Sequence, residues 1–274
     1  MRKVLFSPTF VVLALTLGCQ NSPPSAPNPA ADAGNPGLFS RLFASNSPKA
    51  PNSTATTKGA DKGPNGVALG KKTKQDLGIE NVMKRQGMVR VEFDGLNKYV
   101  DFADLHGFRN AVAALESLAP LSLLREANLH NTSVNDADLV NLQGLHHLQN
   151  LNLSSTKVTD AGLKVLQSIP SLSVLNLNET QVTDGGLQYL RGLPNLTDLS
   201  LYGTKVTDEG LAQFRNSQSL HKLVLGGSQS ITDRTLLSLR EMPQLREVTI
   251  LSSRVTESAI EDLKVASTQL KVIH

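Results

Sequence analysis

Residues 148–171 read LQNLNLSSTKVTDAGLKVLQSIPS, and residues 172–195 read LSVLNLNETQVTDGGLQYLRGLPN. The two stretches share one pattern of apolar and polar residues at a period of 24 residues. A fixed period of this length predicts a stack of structural repeats in which each unit contacts mainly its neighbours. Extending the frame gives six copies and a final half-copy, which begin at Leu124, Leu148, Leu172, Leu196, Leu220, Leu245 and Leu270. In this frame the last two full copies contain one extra residue each.

Each copy combines a strand pattern with a helix pattern. The first six residues alternate between apolar and polar, as in Leu151-Asn152-Leu153, which is typical of a half-buried strand. In the second half, as in residues 162–166, apolar residues recur at a spacing that suits a short helix or 3₁₀ turn. Because one copy cannot bury its own leucines, the stacked copies are expected to share a continuous core.

The pattern LxxLxLxxTxVTDxGLxxLxxLPx resembles the leucine-rich repeat and covers about 150 of the 274 residues. The resemblance implies an α/β fold, a curved solenoid with one parallel β-sheet on its concave face and short helices on its convex face. The column that this family fills with Asn or Cys instead holds hydroxyl residues, which are expected to bond backbone groups in the turn after each strand. These residues are Thr132, Thr156, Thr180, Thr204, Ser228 and Ser253.

A Thr-Asp pair stands immediately before the helical half of the central copies. Threonine is a favourable N-cap, and an acidic residue in the first turn interacts well with the free amides of that turn. The pairs are Thr159-Asp160, Thr183-Asp184, Thr207-Asp208 and Thr232-Asp233. A row of calcium-binding carboxylates is the alternative, but calcium needs six or more converging oxygens, so capping is the preferred interpretation and no metal is expected.

Residues 1–19 form a predicted targeting segment. Arg2 and Lys3 precede an apolar stretch at residues 10–17 that is too short to span a membrane. The sequence LTLGC then resembles a bacterial lipoprotein signal, which implies lipidation of Cys19, the only cysteine of the chain. By the same resemblance, Gln20 favours the outer membrane of a two-membrane bacterium, so we expect a lipid-anchored protein of the cell envelope. An ordinary secretory signal with an incidental cysteine is the alternative.

Two segments precede the repeats. Residues 20–86 are rich in Pro, Ser, Asn and Lys and predict a disordered linker, because they cannot bury enough apolar area to offset chain entropy. Residues 87–123 predict the N-terminal cap of the solenoid, with one amphipathic strand around Val89 and a helix over residues 104–118 that ends before Pro120. Residues 124–274 comprise the repeats.

Charge and motifs limit the possible functions. Residues 124–274 contain 13 basic and 15 acidic residues, so the net charge of +3 for the whole chain arises in the preceding segments. Nucleic acid is not an expected partner, because export separates the chain from it and no aromatic platform is present. No GxSxG, HExxH, P-loop or paired CxxC motif occurs, and the pair His146-His147 is expected in an exposed turn. We therefore expect neither an enzyme nor a cofactor.

The third, fifth and seventh positions of each copy are predicted to face outward on the concave sheet and to be exposed to water. Asparagines occupy the fifth position in the first three copies, and Tyr202 adds an aromatic residue of the kind favoured at binding hot spots. The candidate ligand-binding residues are Asn128, His130, Asn152, Asn176, Asn178, Asp198 and Tyr202. Alternatively, these polar positions are merely solvated.

The resemblance implies a function in recognition, because the family binds proteins, and less often glycans, through its repeat face. We therefore expect a non-catalytic module that is held at the cell envelope and binds a protein partner through the concave face. A structural or self-associating envelope protein without a specific ligand is the alternative.

Overall fold

The structure is a computed structural model that describes residues 74–84, 88–94, 97–107, 111–251 and 253–274. The predicted signal segment, Cys19 and the predicted linker up to residue 73 lie outside the described residues. Among the described residues, no helix combines the length and the apolar character needed to cross a bilayer.

One open sheet with nine strands organises the described part of the chain. The strands are β1 (Met88–Asp94), β2 (Asn97–Asp104), β3 (Glu126–Asn128), β4 (Asn150–Asn152), β5 (Val174–Asn176), β6 (Asp198–Ser200), β7 (Lys222–Gly226), β8 (Glu247–Leu251) and β9 (Lys271–Ile273). The helices are α1 (Lys74–Lys84), α2 (Ala111–Leu118), α3 (Asp160–Leu166), α4 (Asp184–Leu190), α5 (Asp208–Leu211), α6 (Asp233–Arg240) and α7 (Glu257–Ala266), with 3₁₀ segments at Asp138–Leu142 and Ala212–Phe214.

The strands lie side by side in chain order, and β2 to β9 are parallel. Most neighbouring strands pair residues 24 apart, as Leu151 does with Leu175. The arrangement of one parallel sheet with alternating short helices confirms the predicted α/β solenoid. Only one of the two predicted extra residues affects the strand register, because Lys222 pairs with Glu247 at a separation of 25 but Glu247 pairs with Lys271 at 24.

The apolar positions of the repeat form the core. In the second copy Leu151, Leu153, Leu163 and Leu166 are fully excluded from water, and the equivalent residues of the other copies continue the same cluster. Fully burying one such leucine stabilises the fold by roughly 1.5–3 kcal/mol. The core therefore runs as an uninterrupted stack between the sheet and the helices.

Hydroxyl side chains close the turn after each strand. Oγ1 of Thr132, Thr156, Thr180 and Thr204 donates to the carbonyl oxygen three residues earlier, at 2.6–2.8 Å. This confirms that the threonine column bonds backbone groups in the turn, in place of the asparagine that the family usually carries there.

The Thr-Asp pairs join neighbouring repeats as well as capping helices. Thr183 accepts a hydrogen bond from the Gly185 amide and thereby caps α4, as predicted. Its own amide and hydroxyl donate to the two carboxylate oxygens of Asp160 in the preceding repeat, at 2.7 and 2.5 Å. The same two hydrogen bonds recur along one edge of the solenoid. Thr159 donates them to Asp136, Thr207 to Asp184, Thr232 to Asp208 and Thr256 to Asp233. We call this series the Asp–Thr ladder.

The glycine of the VTDxGL pattern makes room for the ladder. A Cβ atom added to Gly162 or Gly186 would lie 2.5 Å from a carboxylate oxygen of the preceding repeat, Asp136 or Asp160 respectively. Where Thr235 replaces this glycine, its hydroxyl donates to Asp208 at 2.5 Å instead. Because Thr and Gly surround these carboxylates, each of them already has close partners within the protein.

The folded part begins earlier than predicted. The linker prediction is wrong for residues 74–84, because these form α1, and Ile79 and Val82 of that helix are buried in the core. Gly78 allows a close approach to α2, since an added Cβ would lie 3.0 Å from the Ser117 carbonyl oxygen. The helix therefore covers the first turn of the solenoid together with the hairpin of β1 and β2.

The cap also differs from its predicted form. Of the predicted helix over residues 104–118, the structure describes residues 111–118 as helix, whereas residue 104 ends β2, which is antiparallel to β1 and parallel to β3. Residues 103–106 read ADLH and align in register with residues 127–130, which read ANLH. The cap strand β2 therefore matches the strand half of a repeat in both its sequence and its register.

Candidate binding site

The asparagine stripe of the concave sheet is buried, so the predicted exposure of Asn128, Asn152 and Asn176 is wrong. These three side chains are only 5%, 3% and 2% exposed. The Oδ1 atom of each accepts the backbone N–H two residues later, at 3.0–3.1 Å. Flanking strands and this folded-back geometry remove the amides from water. The stripe therefore holds the end of each strand in place.

The seventh positions extend this hydrogen-bonded layer. The Ser154 hydroxyl donates to Oδ1 of Asn152 at 2.7 Å, and Nδ1 of His130 lies 2.9 Å from the same hydroxyl oxygen. Oδ1 of Asn178 accepts from the Ser200 hydroxyl at 2.6 Å and from the Tyr202 amide at 2.9 Å. Asn178 is itself only 6% exposed, so its predicted exposure is also wrong.

Three of the seven candidate residues reach the surface, namely His130, Asp198 and Tyr202, which are all partly exposed. They are joined there by the third-position residues Glu126, Asn150 and Val174, which are partly exposed on the adjacent strands. We call these six residues the concave row.

Ion pairs occupy the same positions at the C-terminal end of the sheet. Nζ of Lys222 lies 2.8 Å from one carboxylate oxygen of Glu247, and Nζ of Lys271 lies 3.0 Å from the other. Glu247 therefore links two lysines across three strands. The concave row, in contrast, lies on β3 to β6 and the residues that follow these strands.

Burial shifts the pKa values of two residues of the concave row. Burial raises the pKa of the Asp198 carboxyl, while the Thr197 hydroxyl that donates to it at 2.6 Å and the nearby Lys222 act in the opposite direction. Burial lowers the pKa of His130, although its hydrogen bond to Ser154 acts in the opposite direction. Both groups are therefore biased toward their neutral forms.

The buried Asp104 and the exposed His106 continue this arrangement on β2 and were missed by the sequence analysis. Oδ1 of Asp104 accepts from the His106 amide at 3.1 Å and lies 2.9 Å from Nδ1 of the His106 ring. The pair occupies the positions that Asn128 and His130 occupy on the next strand. The match of ADLHG at residues 103–107 with ANLHN at residues 127–131 is the signal that could have revealed them.

The remaining predictions for chemical sites concern histidines and metals. His146 and His147 lie in an exposed turn, as predicted. In the part of the chain that the structure describes, no three His, Cys, Asp or Glu side chains converge in a way that could hold a metal ion.

Part of the repeat region matches a known family. A family model described as Leucine Rich repeat matches residues 144–166 and 168–190, which are two adjacent repeats of the predicted frame. A comparison with curated proteins finds no match.

Proposed function

We propose that this leucine-rich repeat protein is a non-catalytic interaction module that is held at the cell envelope and binds a protein partner through its concave row. Leucine-rich repeats typically form an interaction fold rather than a catalytic one. The family match indicates an interaction fold. It does not indicate which face binds the partner or whether the protein is tethered to the envelope.

The observation that carries the proposal is the layering of the concave sheet. Beneath the row, Asn128, Asn152 and Asn176 have their acceptor oxygens occupied by the backbone amides two residues after each of them. A surface that rests on such a fixed layer changes little on binding, which lowers the entropic cost of association. In this proposal His130, Asp198 and Tyr202 contact the partner, whereas the buried Asn128 and Asn178 hold the backbone of His130 and Tyr202 in place.

Photocrosslinking in cells tests the concave site. We would place the crosslinking residue at position 150, which is partly exposed in the row, and compare it with position 164, which is exposed on the helix side. We expect a discrete envelope protein to be captured from position 150 only, and its capture to fall when Asp198→Asn and Tyr202→Ser are combined. Capture of nothing, or only of second copies of the chain, would instead support a structural or self-associating protein.

The envelope tether rests on the sequence of residues 1–19 and has its own test. We propose that Cys19 is lipidated and holds the domain at the outer membrane or at the outer face of the cytoplasmic membrane. Replacing Cys19 with Ser is expected to abolish labelling with a radioactive fatty acid and to move the protein from the membrane fraction to the soluble fraction. Unchanged labelling and unchanged fractionation would contradict the proposal.

A further inference from the structure

A polar groove opens where helices end and strands begin, between the turns that lead into β6 and β7. It has a volume of about 560 Å³, within the range of small-molecule sites, and none of its ten lining residues is acidic. Arg191 and Arg215 are among the lining residues, together with residues that carry hydroxyl and amide groups. The polar members are Gln213, Asn216, Ser217, Gln218 and Ser219.

The two arginines occupy equivalent positions in neighbouring repeats. Each lies seven residues after the aspartate that directly follows the N-cap threonine of its repeat. The corresponding residues along the chain are Gln143, Gln167, Arg191, Arg215, Arg240 and Lys264. A cation near the carboxyl end of a helix is favourable in itself, so this column alone does not indicate a ligand. Arg191 and Arg215 differ from the other cations of the column because both line the groove.

The protein itself leaves much of the hydrogen-bonding capacity of these arginines unused. Within the described part of the chain, Arg191 makes no ion pair and no side-chain hydrogen bond. Nε of Arg215 donates to the Ser238 hydroxyl at 3.3 Å and lies 3.4 Å from a carboxylate oxygen of Glu241. The terminal nitrogens of both guanidinium groups therefore remain available to an anion.

We propose that this groove binds a phosphate ester of a polyol, such as a glycerol phosphate or a sugar phosphate unit. Guanidinium groups match the geometry of phosphate oxygens and can bind them in a bidentate manner. The hydroxyls of Ser217 and Ser219 and the amide of Asn216 provide partners for polyol hydroxyls. The lining residues include no aromatic ring on which a nucleobase could stack, so a polyol fits the groove better than a nucleotide.

The test is calorimetric titration of the full chain with glycerol 3-phosphate, inorganic phosphate and glycerol. We expect glycerol 3-phosphate to bind more tightly than inorganic phosphate, and glycerol not to bind. The double variant Arg191→Gln/Arg215→Gln introduces the residue that two other repeats carry in this column, so it should melt as the wild type does. We expect it to bind glycerol 3-phosphate at least about tenfold more weakly, because charge-assisted hydrogen bonds are lost.

Arg240→Gln is the matched control, because it removes a cation of the same column outside the groove. The proposal would be overturned if Arg240→Gln weakened the binding of glycerol 3-phosphate as much as the double variant does. It would also be overturned if the double variant bound glycerol 3-phosphate as the wild type does, or if the wild type bound inorganic phosphate as tightly as glycerol 3-phosphate. Sedimentation with phosphatidylglycerol and phosphatidylcholine vesicles identifies the source of the ester, because the phosphatidylcholine vesicles give the baseline that the lipid anchor alone produces. Additional cosedimentation with phosphatidylglycerol that is lost in the double variant assigns a lipid headgroup, and binding of soluble glycerol 3-phosphate alone assigns a free ester. Binding to neither probe would also overturn the proposal, and it would leave the proposed function of the concave row unaffected.

Discussion

At Gly186 a single added Cβ atom would disturb the contact between two repeats. Its position against Asp160 leaves no space for a side chain, whereas a Cβ added to Gly192 would meet only ordinary contacts at 3.7 Å and beyond. We expect Gly186→Ala to lower the free energy of unfolding by about 1–3 kcal/mol through overpacking, although alanine favours a helix by about 1 kcal/mol over glycine.

Urea unfolding of both alanine variants measures this difference. Gly192→Ala is the control and should change the free energy of unfolding by no more than about 0.5 kcal/mol, as is usual at surface sites. If the Gly186 variant were as stable as the wild type, the Asp160 carboxylate would not occupy the place assigned to it.

His130 makes stability depend on pH. Its pKa in the folded state lies below the ordinary value of 6.5, chiefly because of burial, with His106 acting in the same direction and Glu179 and Asp104 in the opposite one. Below pH 6.5 the unfolded chain therefore binds more protons at this residue, so acidification favours unfolding.

We expect the melting temperature to fall less in His130→Asn than in the wild type when the pH is lowered from about 7.5 to about 5.5. His147→Asn, in the exposed turn, is the control and should retain the wild-type dependence. An identical pH dependence in the wild type and the His130 variant would contradict this account of His130.

At the same scale, the sequence predicts which face a residue belongs to but not how deeply it is buried. Period-two alternation correctly places Asn152 and Asn176 opposite the leucine core. It contains no information about the folded-back amide geometry or about the shielding by neighbouring strands, which together exclude both side chains from water. The Asp160–Thr183 contact was likewise missed, because capping rules consider only residues of one helix.

At the scale of elements, Thr207 connects one helix with the repeat before it. Its hydroxyl accepts the Glu209 amide at the start of α5, and Oγ1 lies 2.6 Å from a carboxylate oxygen of Asp184 and 2.7 Å from one of Glu209. Thr207→Val preserves the shape of the side chain but removes the hydroxyl that makes these contacts. We expect a loss of about 1–2 kcal/mol in the free energy of unfolding, as for the loss of an N-cap.

Thr268→Val is the control for this variant, because Thr268 is exposed and caps no helix. Chemical unfolding of the two variants should separate them clearly. Equal stabilities would mean that water replaces the hydrogen bonds of the Thr207 hydroxyl without cost.

Elements with strong periodicity could be predicted, and elements that depend on distant partners could not. The strands and helices of the central copies follow from their leucine spacing. In α1, in contrast, only Leu77, Ile79, Val82 and Met83 are large and apolar, and Gly78 lowers the helix propensity. This helix is stable through its contacts with α2 and the hairpin, which no local pattern reveals.

At the scale of the whole molecule, the first end of the solenoid needs a cover. A fragment of residues 87–274 lacks α1, and a fragment of residues 74–274 retains it. We expect the shorter fragment to melt at a lower temperature, because removal of Ile79 and Val82 exposes the core residues beneath them.

Calorimetry of the two fragments at one concentration provides the measurement. A fragment of residues 60–274 serves as the control and should melt as the 74–274 fragment does. Identical melting of all three fragments would mean that α1 contributes nothing to the cover.

The Asp–Thr ladder has a direction, because every internal repeat offers a threonine to the unit before it and an aspartate to the unit after it. A gene segment that encodes residues 172–195 could therefore be duplicated in tandem without leaving an unmatched partner inside the stack. In the inserted copy, Thr183 would bond to the Asp184 carboxylate of the original copy, and Gly186 would leave space for that carboxylate. The Asp184 of the inserted copy would accept hydrogen bonds from Thr207. The molecule is thus suited to change its length by whole units through recombination, while the chemistry of each junction is inherited unchanged.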